Sequence, residues 1–524
     1  MYFIRSALPA VAWAAVVVTW GAATAETRQE WERRETEVRL SSGLQIVAVS
    51  VPSAWTGPGQ AGEASAGILD YPRPPLAGFS PLVAITTSDE QSNDDFDFEH
   101  DLQDAYVGCP LNPGPTCPPA PAVTQDYIIG ILDSGSVVDL VAGPSAAVIG
   151  LTGSHLTGNE FPIGGVGGTL NADLSYPVGF FAQGLSAVNA NGELDLNQVI
   201  GHSNVSIVVA PDISCSNGES LTAVAGTALM SFFASVVRVD SPQRVMVGGR
   251  TITSPDVRLL DLLDPSIPVY PRSISIEFGG YMPVTTASYY PDFEDLETPM
   301  FPTLLSMTPL SIPLGGAFFA TVGLLQGEPG PLNPIQTMRA LVDTGAQSSI
   351  MSQGMAANLN LDLLNPDFMV DVCGLGGLVE DVPGFYVDYV KMNASGGALE
   401  FSRAPFVVLD LDSPEGGVLE GVLGMNFFWN RNIVFDPSFT ASSFLHVSNP
   451  IPLAYGDFDR DFDVDQDDLD FFLSCMSGPA VAIGDPNCTQ VDADGDGDTD
   501  LSDFGRMQVC LSGTDVRADP NCGR

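Results

Sequence analysis

The chain has 524 residues and a formal net charge of −45, from 64 acidic and 19 basic residues. A protein this anionic does not bind nucleic acid or acidic lipid through a basic patch, so both partner classes are excluded. Hydrophobic residues make up 45% of the chain and charged residues 16%, which excludes wholesale disorder. The 54 Gly and 41 Pro favour short strands and turns, so we predict a mainly β protein of several domains.

The N-terminus has the pattern of a secretory signal. Arg5 precedes an apolar run from Ala7 to Trp20, and Ala23-Thr24-Ala25 offers a cleavage site. The run is short for a membrane span, and no later stretch is apolar enough to cross a bilayer. We predict a signal peptide at 1–25, export to the extracellular space or cell surface, and no transmembrane span afterwards. An uncleaved anchor is the alternative. The eight cysteines suit an oxidising compartment.

Three sequence features occur twice in the same order before residue 455. They are a D-[ST]-G triplet behind an apolar strand, a glycine cluster about thirty residues later, and an apolar pair followed by Gly. They occupy 133–135, 163–168 and 224–226 in the first copy, and 343–345, 372–377 and 422–424 in the second. One such triplet alone is weak evidence, but the repeated order predicts two homologous β-rich lobes. The apolar segments Ala317–Leu325 and Thr337–Asp343 predict a hairpin that leads into the second triplet.

An approximate two-fold axis between such lobes places Asp133 and Asp343 face to face. Carboxyls that close hold one proton between them, so one acts as general base on a water while the other hydrogen-bonds a substrate carbonyl. The hydroxyls of Ser134 and Thr344 can lock the two loops together. Ser136 can donate to ionised Asp133, whereas Ala346 cannot do so for Asp343. We therefore expect Asp343 to hold the shared proton more often.

The motifs Leu341-Val342-Asp343-Thr344-Gly345-Ala346 and Val422-Leu423-Gly424, with the glycine cluster between them, resemble those of retropepsin-like proteases. Two lobes in one chain are similar to the pepsin family. The resemblance covers about residues 80–447 and implies two aspartic-protease-like β-barrel lobes. Its domain boundaries are an N-terminal segment at 26–79, lobe 1 at 80–245, a connection at 246–310 and lobe 2 at 311–447.

The same resemblance implies an aspartic-type endopeptidase that acts on peptide or protein substrates without a catalytic cofactor. By it, Asp133 and Asp343 are catalytic, and Ser134 and Thr344 brace the pair. Residues 163–168 and 372–377 are the flap candidates, which are mobile hairpins that close over substrate and exclude water.

The acidic residues are concentrated in 456–524, where two segments match a twelve-residue calcium loop. Calcium is a hard cation that takes six to eight oxygen ligands, which alternating carboxylates supply. The predicted ligands at positions 1, 3, 5, 7 and 12 are Asp457, Asp459, Asp461, Asp463 and Asp468 in the first loop, and Asp492, Asp494, Asp496, Asp498 and Asp503 in the second. Position 6 needs positive φ; it is Gly497 in the second loop but Phe462 in the first, so the first loop should bind more weakly.

The repeat continues after each loop through a Cys, a Ser-Gly pair and a final Asp-Pro-Asn-Cys. This symmetry predicts disulfides Cys475–Cys488 and Cys510–Cys522; Cys109 and Cys117 can form a local bridge, and the pairing of Cys215 and Cys373 stays open. The segment 456–524 resembles a type I dockerin. That resemblance implies a small α-helical, EF-hand-like domain with two Ca²⁺ sites and a cohesin-like docking partner.

Other functions are compatible with parts of this pattern. The main alternative is a two-lobed protein that kept the fold, lost the chemistry and acts as a binding or surface module with its dockerin-like tail. Another is that the tail carries the main role and the large region is its cargo. Serine or metal hydrolysis finds little support, because the four His form no H-E-x-x-H pair and no G-x-S-x-G motif is present.

Overall fold

The structure is a computed structural model that describes most of the chain from residue 71 onward and three short strands before it. The described ranges are 19–21, 38–39, 45–46, 71–88, 127–279, 287–289, 316–483 and 488–523, with gaps at 150, 152–154, 176–177, 190–191, 193, 196–197, 206, 212, 215–219, 248–249, 328–329, 331–332, 414–416, 438–442, 489 and 515. The predicted signal peptide lies mostly outside these ranges, as do Cys109, Cys117 and Cys215.

The described part of the chain is mainly β, as predicted. Its strands are β1 Thr19–Gly21, β2 Val38–Arg39, β3 Gln45–Ile46, β4 Leu82–Ser88, β5 Ile128–Leu132, β6 Leu140–Ala142, β7 Leu156–Gly165, β8 Gly168–Ser175, β9 Val178–Gly184, β10 Ile200–Val205, β11 Val208–Ala210, β12 Ile213–Ser214, β13 Ser220–Leu221, β14 Ala223–Ala225, β15 Ala234–Val247, β16 Arg250–Leu260, β17 Arg272–Gly279, β18 Ala287–Tyr289, β19 Ala317–Leu325, β20 Gln336–Val342, β21 Ile350–Met351, β22 Phe368–Gly374, β23 Gly377–Met392, β24 Leu399–Val408, β25 Gly421–Leu423, β26 Ile433–Asp436 and β27 Ser443–Val447. The helices are α1 Gly143–Val148, α2 Thr227–Met230, α3 Gln353–Asn358, α4 Gln466–Cys475 and α5 Leu501–Cys510, with 3₁₀ turns at Leu185–Ala187 and Met425–Phe427.

The sequence repeat is also a repeat of strand pairing. In the first half, β5 pairs in parallel with β14, β14 pairs antiparallel with β6, and β6 pairs in parallel with β11. In the second half, β20, β25, β21 and β24 make the same three pairings. Each D-[ST]-G triplet directly follows the first strand of its set. The backbone N–H of Asp133 donates to Ala225 O over 2.9 Å, and that of Asp343 donates to Leu423 O over 3.0 Å. The predicted hairpin before the second triplet is the antiparallel pair β19–β20.

The segment between the predicted lobes contributes strands that join the two halves. β15 and β16 form a long hairpin, and β15 also pairs with β26 of the second half. β17 pairs with β27 on one side and with β19 on the other. Two large apolar clusters each combine side chains of both halves, for example Val83 with Phe318. The halves therefore share one body, which we call the two-lobed body; it consists of the described residues within 71–447.

Residues 71–80 form an irregular segment, here called the strap, which runs over the second half before entering β4 of the first. The N–H of Gly78 donates to Gln347 O over 2.8 Å, and Asn426 Nδ2 donates to Pro75 O over 3.3 Å. The hydroxyl of Ser348 donates to Leu76 O. The strap therefore lies against the chain that immediately follows the Asp343 triplet.

The C-terminal segment has an apolar core of its own, which includes Val464, Phe472, Val491 and Met507. The predicted disulfides Cys475–Cys488 and Cys510–Cys522 are both present. Cys373 is also disulfide-bonded. Among the described residues, no helix combines the length and apolar character needed to span a bilayer.

Candidate active site

The side chains of Ser134 and Thr344 each reach across to the opposite lobe. Thr344 Oγ1 accepts from the N–H of Ser134 over 3.0 Å and donates to Leu132 O over 2.6 Å. Ser134 Oγ accepts from the N–H of Thr344 over 3.0 Å and donates to Val342 O over 2.8 Å. All four hydrogen bonds are buried. This reciprocal arrangement, here called the cross-lobe grip, fixes the spacing of the two triplets.

The grip brings the carboxyls of Asp133 and Asp343 side by side. A Cβ atom built on Gly135 would lie 2.4 Å from Cγ of Asp343, and one built on Gly345 would lie 2.5 Å from Cγ of Asp133. Because real Cβ atoms do not approach a carboxyl so closely, the third residue of each triplet must be Gly. Each carboxyl is therefore packed against the backbone of the opposite triplet.

Backbone amides hold one oxygen of each carboxyl. Oδ1 of Asp133 accepts from the N–H groups of Gly135 and Ser136 over 2.7 and 3.1 Å. The corresponding amides of the second triplet donate to Oδ1 of Asp343 over 2.8 and 3.0 Å. Oδ2 of each Asp is buried and has no hydrogen-bond partner among the described residues. The two Oδ2 atoms are therefore the ones available to a ligand.

Burial disfavours the ionised form of both carboxyls. It raises the pKa of Asp133 to about 6. It also raises the pKa of Asp343 well above its ordinary value, and the charge of neighbouring Asp133 raises it further. The two side chains are 0% and 1% exposed. A pair so placed keeps a shared proton at a pH where isolated aspartates have lost theirs.

The expected role of the Ser136 hydroxyl is wrong. It donates to Val138 O over 2.7 Å, two residues further along the chain, and not to Asp133. Short side-chain hydroxyls commonly bond nearby backbone in this way. The contact to Asp133 is instead made by the backbone N–H of Ser136, and Ala346 supplies the same contact to Asp343. The raised pKa of Asp343 thus comes from burial and the Asp133 charge.

The two glycine clusters form the tips of β-hairpins that touch each other. In the first hairpin Gly165 pairs with Gly168, and in the second Gly374 pairs with Gly377. The N–H of Gly376 donates to Val166 O over 2.7 Å. The tip side chains Val166 and Leu375 are buried in the same apolar cluster as Val137 and Ala346, which follow the triplets. Both flap candidates are therefore closed over the carboxyl pair.

A third buried carboxyl, Asp139, was not singled out from the sequence. It lies six residues after Asp133, where the second lobe has Ser349. Asp139 Oδ1 accepts from the N–H of Gly226 over 2.8 Å, as Ser349 Oγ does from Gly424 over 2.9 Å. Oδ2 of Asp139 has no partner among the described residues, and burial raises its pKa to about 8. The interior of lobe 1 therefore favours the neutral form of this carboxyl.

We predict that replacing Asp139 with Asn makes stability less dependent on pH. The folded-state pKa of Asp139, about 8, exceeds the ordinary 3.8, so the folded state binds this proton more tightly than the unfolded state. The resulting contribution to stability is complete below about pH 4 and is lost as pH rises through 8. Within that window Asp139 makes the free energy of unfolding fall by up to about 1.4 kcal/mol per pH unit, and Asn removes this fall. The pH dependence that comes from the Asp133–Asp343 pair remains. The measurement is Tm against pH from 4 to 9. Parallel curves for the variant and the wild type would contradict the assignment.

The carboxylates of each C-terminal loop form two groups of three, and the two loops have the same arrangement. Positions 1, 3 and 12 place one oxygen each within 4.8 Å of one another, and so do positions 7, 9 and 12. These groups are Asp457, Asp459, Asp468 with Asp463, Asp465, Asp468 in the first loop, and Asp492, Asp494, Asp503 with Asp498, Asp500, Asp503 in the second. The position-5 residues, Asp461 and Asp496, lie outside these groups and accept the N–H of the position-7 residue over 3.1 and 3.2 Å.

Asp465 and Asp500 at position 9 were missed by the sequence analysis. Each is the N-cap of the helix that follows its loop and forms a capping box with the position-12 aspartate, Asp468 or Asp503. The signal that could have identified them is an Asp three residues before the Asp at position 12, directly ahead of an amphipathic segment.

The donor set of the first loop suits a hard cation. Asp457 is 6% exposed, and neither of its carboxylate oxygens has a hydrogen-bond partner among the described residues. Burial, followed by the charges of Asp459 and Asp461, raises the pKa of Asp457 to about 8. A buried carboxylate crowded by like charges is unfavourable unless a cation compensates it.

Both loops bend at positions 4 and 6 with left-handed backbone. In the second loop these positions are Gly495 and Gly497, with φ of 78° and 89°. In the first they are Arg460 and Phe462, with φ of 65° and 75°. The conformation expected at Phe462 is therefore present, and it is unfavourable for a residue that carries a Cβ.

The chain is similar to known aspartic peptidases in fold and, over part of its length, in sequence. A solved structure, the crystal structure of an aspartic proteinase from Irpex lacteus, aligns with 71% of this chain and 97% of its own at 12% identity and a TM-score of 0.35. No match was found among curated proteins. Residues 329–427, which contain the second triplet and the second flap candidate, match the family model described as Aspartyl protease.

Proposed function

We propose that the chain is an exported aspartic-type endopeptidase that hydrolyses peptide bonds with a water activated between Asp133 and Asp343. The observation that carries the proposal is the burial of these two carboxyls side by side, each held by amides of its own triplet and by the cross-lobe grip. The family match of residues 329–427 supports the same assignment for the second triplet.

The geometry assigns distinct tasks to the two oxygens of each carboxyl. Oδ1 is fixed by backbone amides, so Oδ2 faces the substrate. One Asp holds the shared proton and hydrogen-bonds the oxygen of the scissile carbonyl. The ionised Asp takes a proton from water as the water oxygen attacks the carbonyl carbon. Return of a proton to the amide nitrogen then allows the C–N bond to break.

The flaps supply a dry site for this reaction. The hydrogen bond between Gly376 and Val166 joins the tips of the two hairpins. Substrate entry therefore requires the hairpins to separate and then close again. Exclusion of bulk water strengthens every electrostatic interaction between the carboxyl pair and the scissile bond.

We predict that Gly376→Ala impairs flap closure. A Cβ atom at this position would lie 2.3 Å from the backbone nitrogen of Gly168, which cannot move away alone. Because misplacement by about 1 Å can cost about 100-fold in rate, kcat/KM on a peptide substrate should fall between about 10- and 100-fold. The matched control is Gly354→Ala in α3, where the nearest atom is 3.7 Å away. Equal activity of the two variants would contradict the closing role.

The direct test of peptidase activity is cleavage of a mixed peptide library by the full chain from pH 3 to 8. The proposal predicts cleavage that pepstatin inhibits. Absence of cleavage at every pH, or cleavage that pepstatin leaves unchanged, would contradict it.

A non-catalytic binding protein of the same fold is the second candidate. The specific observation in its favour is the complete burial of Asp133 and Asp343 beneath flaps that touch each other. Such a protein would bind peptides without cleaving them. The library distinguishes the two, because a binding module leaves every peptide intact.

We further propose that residues 456–524 are a dockerin-like module with two Ca²⁺ sites and a cohesin-like partner. The residues that would hold the ions are the ten predicted aspartates, together with Asp465 and Asp500 at position 9. A bound Ca²⁺ would neutralise the crowded carboxylates and fix each loop. The support is the buried, unpartnered Asp457 and the matching geometry of the two loops.

We predict two classes of calcium site in titration calorimetry of the full chain. Because Arg460 and Phe462 stand where the second loop has Gly, the first site should be about tenfold weaker. Asp457→Asn should remove only the weaker class, and the matched change Asp492→Asn only the stronger. Loss of the stronger class on changing Asp457 would contradict the assignment. A pull-down with and without chelator tests whether partner capture needs calcium.

A further inference from the structure

The first proposed calcium loop contacts the two-lobed body through Arg460. Nη1 of Arg460 donates to Ala77 O in the strap over 3.2 Å. The Cζ atom of the same guanidinium lies 5.2 Å from the centre of the Trp429 ring, which follows the 3₁₀ turn Met425–Phe427. One side chain thus contacts both the strap and the second lobe.

The backbone at Arg460 is in a conformation that this residue type rarely adopts. Its φ is 65°, at the loop position where the second copy has Gly495 with φ of 78°. A left-handed backbone is unfavourable for any residue with a Cβ, and such outliers persist where the surrounding structure enforces them. Glycine would suit the loop better but has no side chain to reach Ala77 and Trp429. The second loop, which has Gly495 at this position, cannot make the same side-chain contact.

The strap connects this contact to the candidate active site. The carbonyls and amides beside Ala77 are bonded to residues just after the Asp343 triplet: Gly78 N–H donates to Gln347 O over 2.8 Å, and Ser348 Oγ donates to Leu76 O. The strap therefore links Arg460 to the Asp343 loop, and the turn before Trp429, whose Asn426 N–H donates to Gln347 O over 3.1 Å, reaches the same loop.

We propose that calcium binding to the first loop docks Arg460 onto the strap and so stabilises the chain that supports Asp343. The inference rests on the proposed calcium sites of the C-terminal module. Asp459 and Asp461 flank Arg460, so an ion held by the loop fixes the backbone from which the guanidinium extends. Without the ion the carboxylates repel one another, and the loop loses the strained conformation that aims Arg460. Linkage requires the converse as well: docking favours the ion-bound loop.

The test is hydrogen exchange of the strap in the full chain, with Ca²⁺ and with a chelator. A hydrogen bond from a charged donor is worth enough to change local opening about tenfold, so Ca²⁺ should slow exchange of the 71–80 amides by that factor. Arg460→Gly should abolish the difference while the second site still binds Ca²⁺. Trp429→Leu, on the body side, should reduce it. Arg506→Ala is the charge-matched control, because Arg506 donates to Ala493 O within the module.

Each outcome decides the question. If Ca²⁺ slows exchange of the strap in the wild type and in Arg506→Ala but not in Arg460→Gly, the result supports calcium-dependent docking of Arg460. The same calcium effect in Arg460→Gly overturns it, and so does an unresponsive strap when calorimetry detects bound Ca²⁺. A chain that binds no Ca²⁺ overturns this inference together with the proposed calcium sites, while leaving the proposed peptidase activity to its own assay.

Discussion

Asn in place of Asp133 or Asp343 is expected to lower kcat by at least about 10³-fold, because general acid–base catalysis by the pair is lost. Either change removes the shared proton: an amide can neither deprotonate water nor exchange roles with its neighbour. The residues act as a unit, so the double variant should be no slower than either single variant. The measurement is steady-state cleavage of one peptide substrate by the full-length proteins.

Asp139→Asn is the matched control for this experiment. It makes the same chemical change at another buried aspartate of the same loop region, whose carboxyl accepts from the N–H of Gly226. We expect it to keep wild-type activity at acidic pH, where Asp139 is neutral in any case. Cleavage that survives at both Asp133→Asn and Asp343→Asn would exclude the proposed mechanism.

Replacing Thr344 with Val is expected to destabilise the fold by about 2–6 kcal/mol. The change leaves the N–H of Ser134 without its acceptor and Leu132 O without its donor, both in a buried setting. Each unsatisfied buried group costs about 1–3 kcal/mol. The measurement is the free energy of unfolding in denaturant. Because the grip also sets the spacing of the carboxyls, activity should fall in the same variant.

Thr344→Ser is the control, since it retains the hydroxyl and removes one methyl group. We expect Ser to preserve most of the stability and activity, as the first lobe itself uses Ser134 at this position. A Val variant as stable as the Ser variant would indicate that the cross-lobe grip does not hold the lobes together.

The repeated motifs predicted the paired triplets and the flaps because their geometry imposes local requirements. Gly135 and Gly345 touch the opposite carboxyl, and the flap tips turn on glycines, so both features are visible as short residue patterns. The strands within 246–310 and the strap had no such pattern. Their positions depend on pairing partners far away in the sequence, such as β26, β27 and Gln347.

Individual polar contacts were less predictable than the motifs that contain them. The Ser136 hydroxyl had two acceptors within reach, and the sequence cannot rank Val138 O above the Asp133 carboxyl. Asp139 resembled an ordinary loop aspartate, and only the fold places it in the interior. In the proposed calcium loops the twelve-residue template supplied the predicted aspartates, whereas the contact of Arg460 with Ala77 joins residues far apart in the sequence.

The most direct test of the central claim, that Asp133 and Asp343 share one proton, is the pH dependence of kcat/KM on a peptide substrate. A shared proton predicts a bell-shaped profile, because activity falls when the pair gains a second proton at low pH and when it loses the last one at high pH. Since burial raises the pKa of both groups, both limbs should lie above 3.8, the ordinary pKa of an aspartate. A profile with a single limb, or a rate independent of pH from 3 to 8, would contradict it.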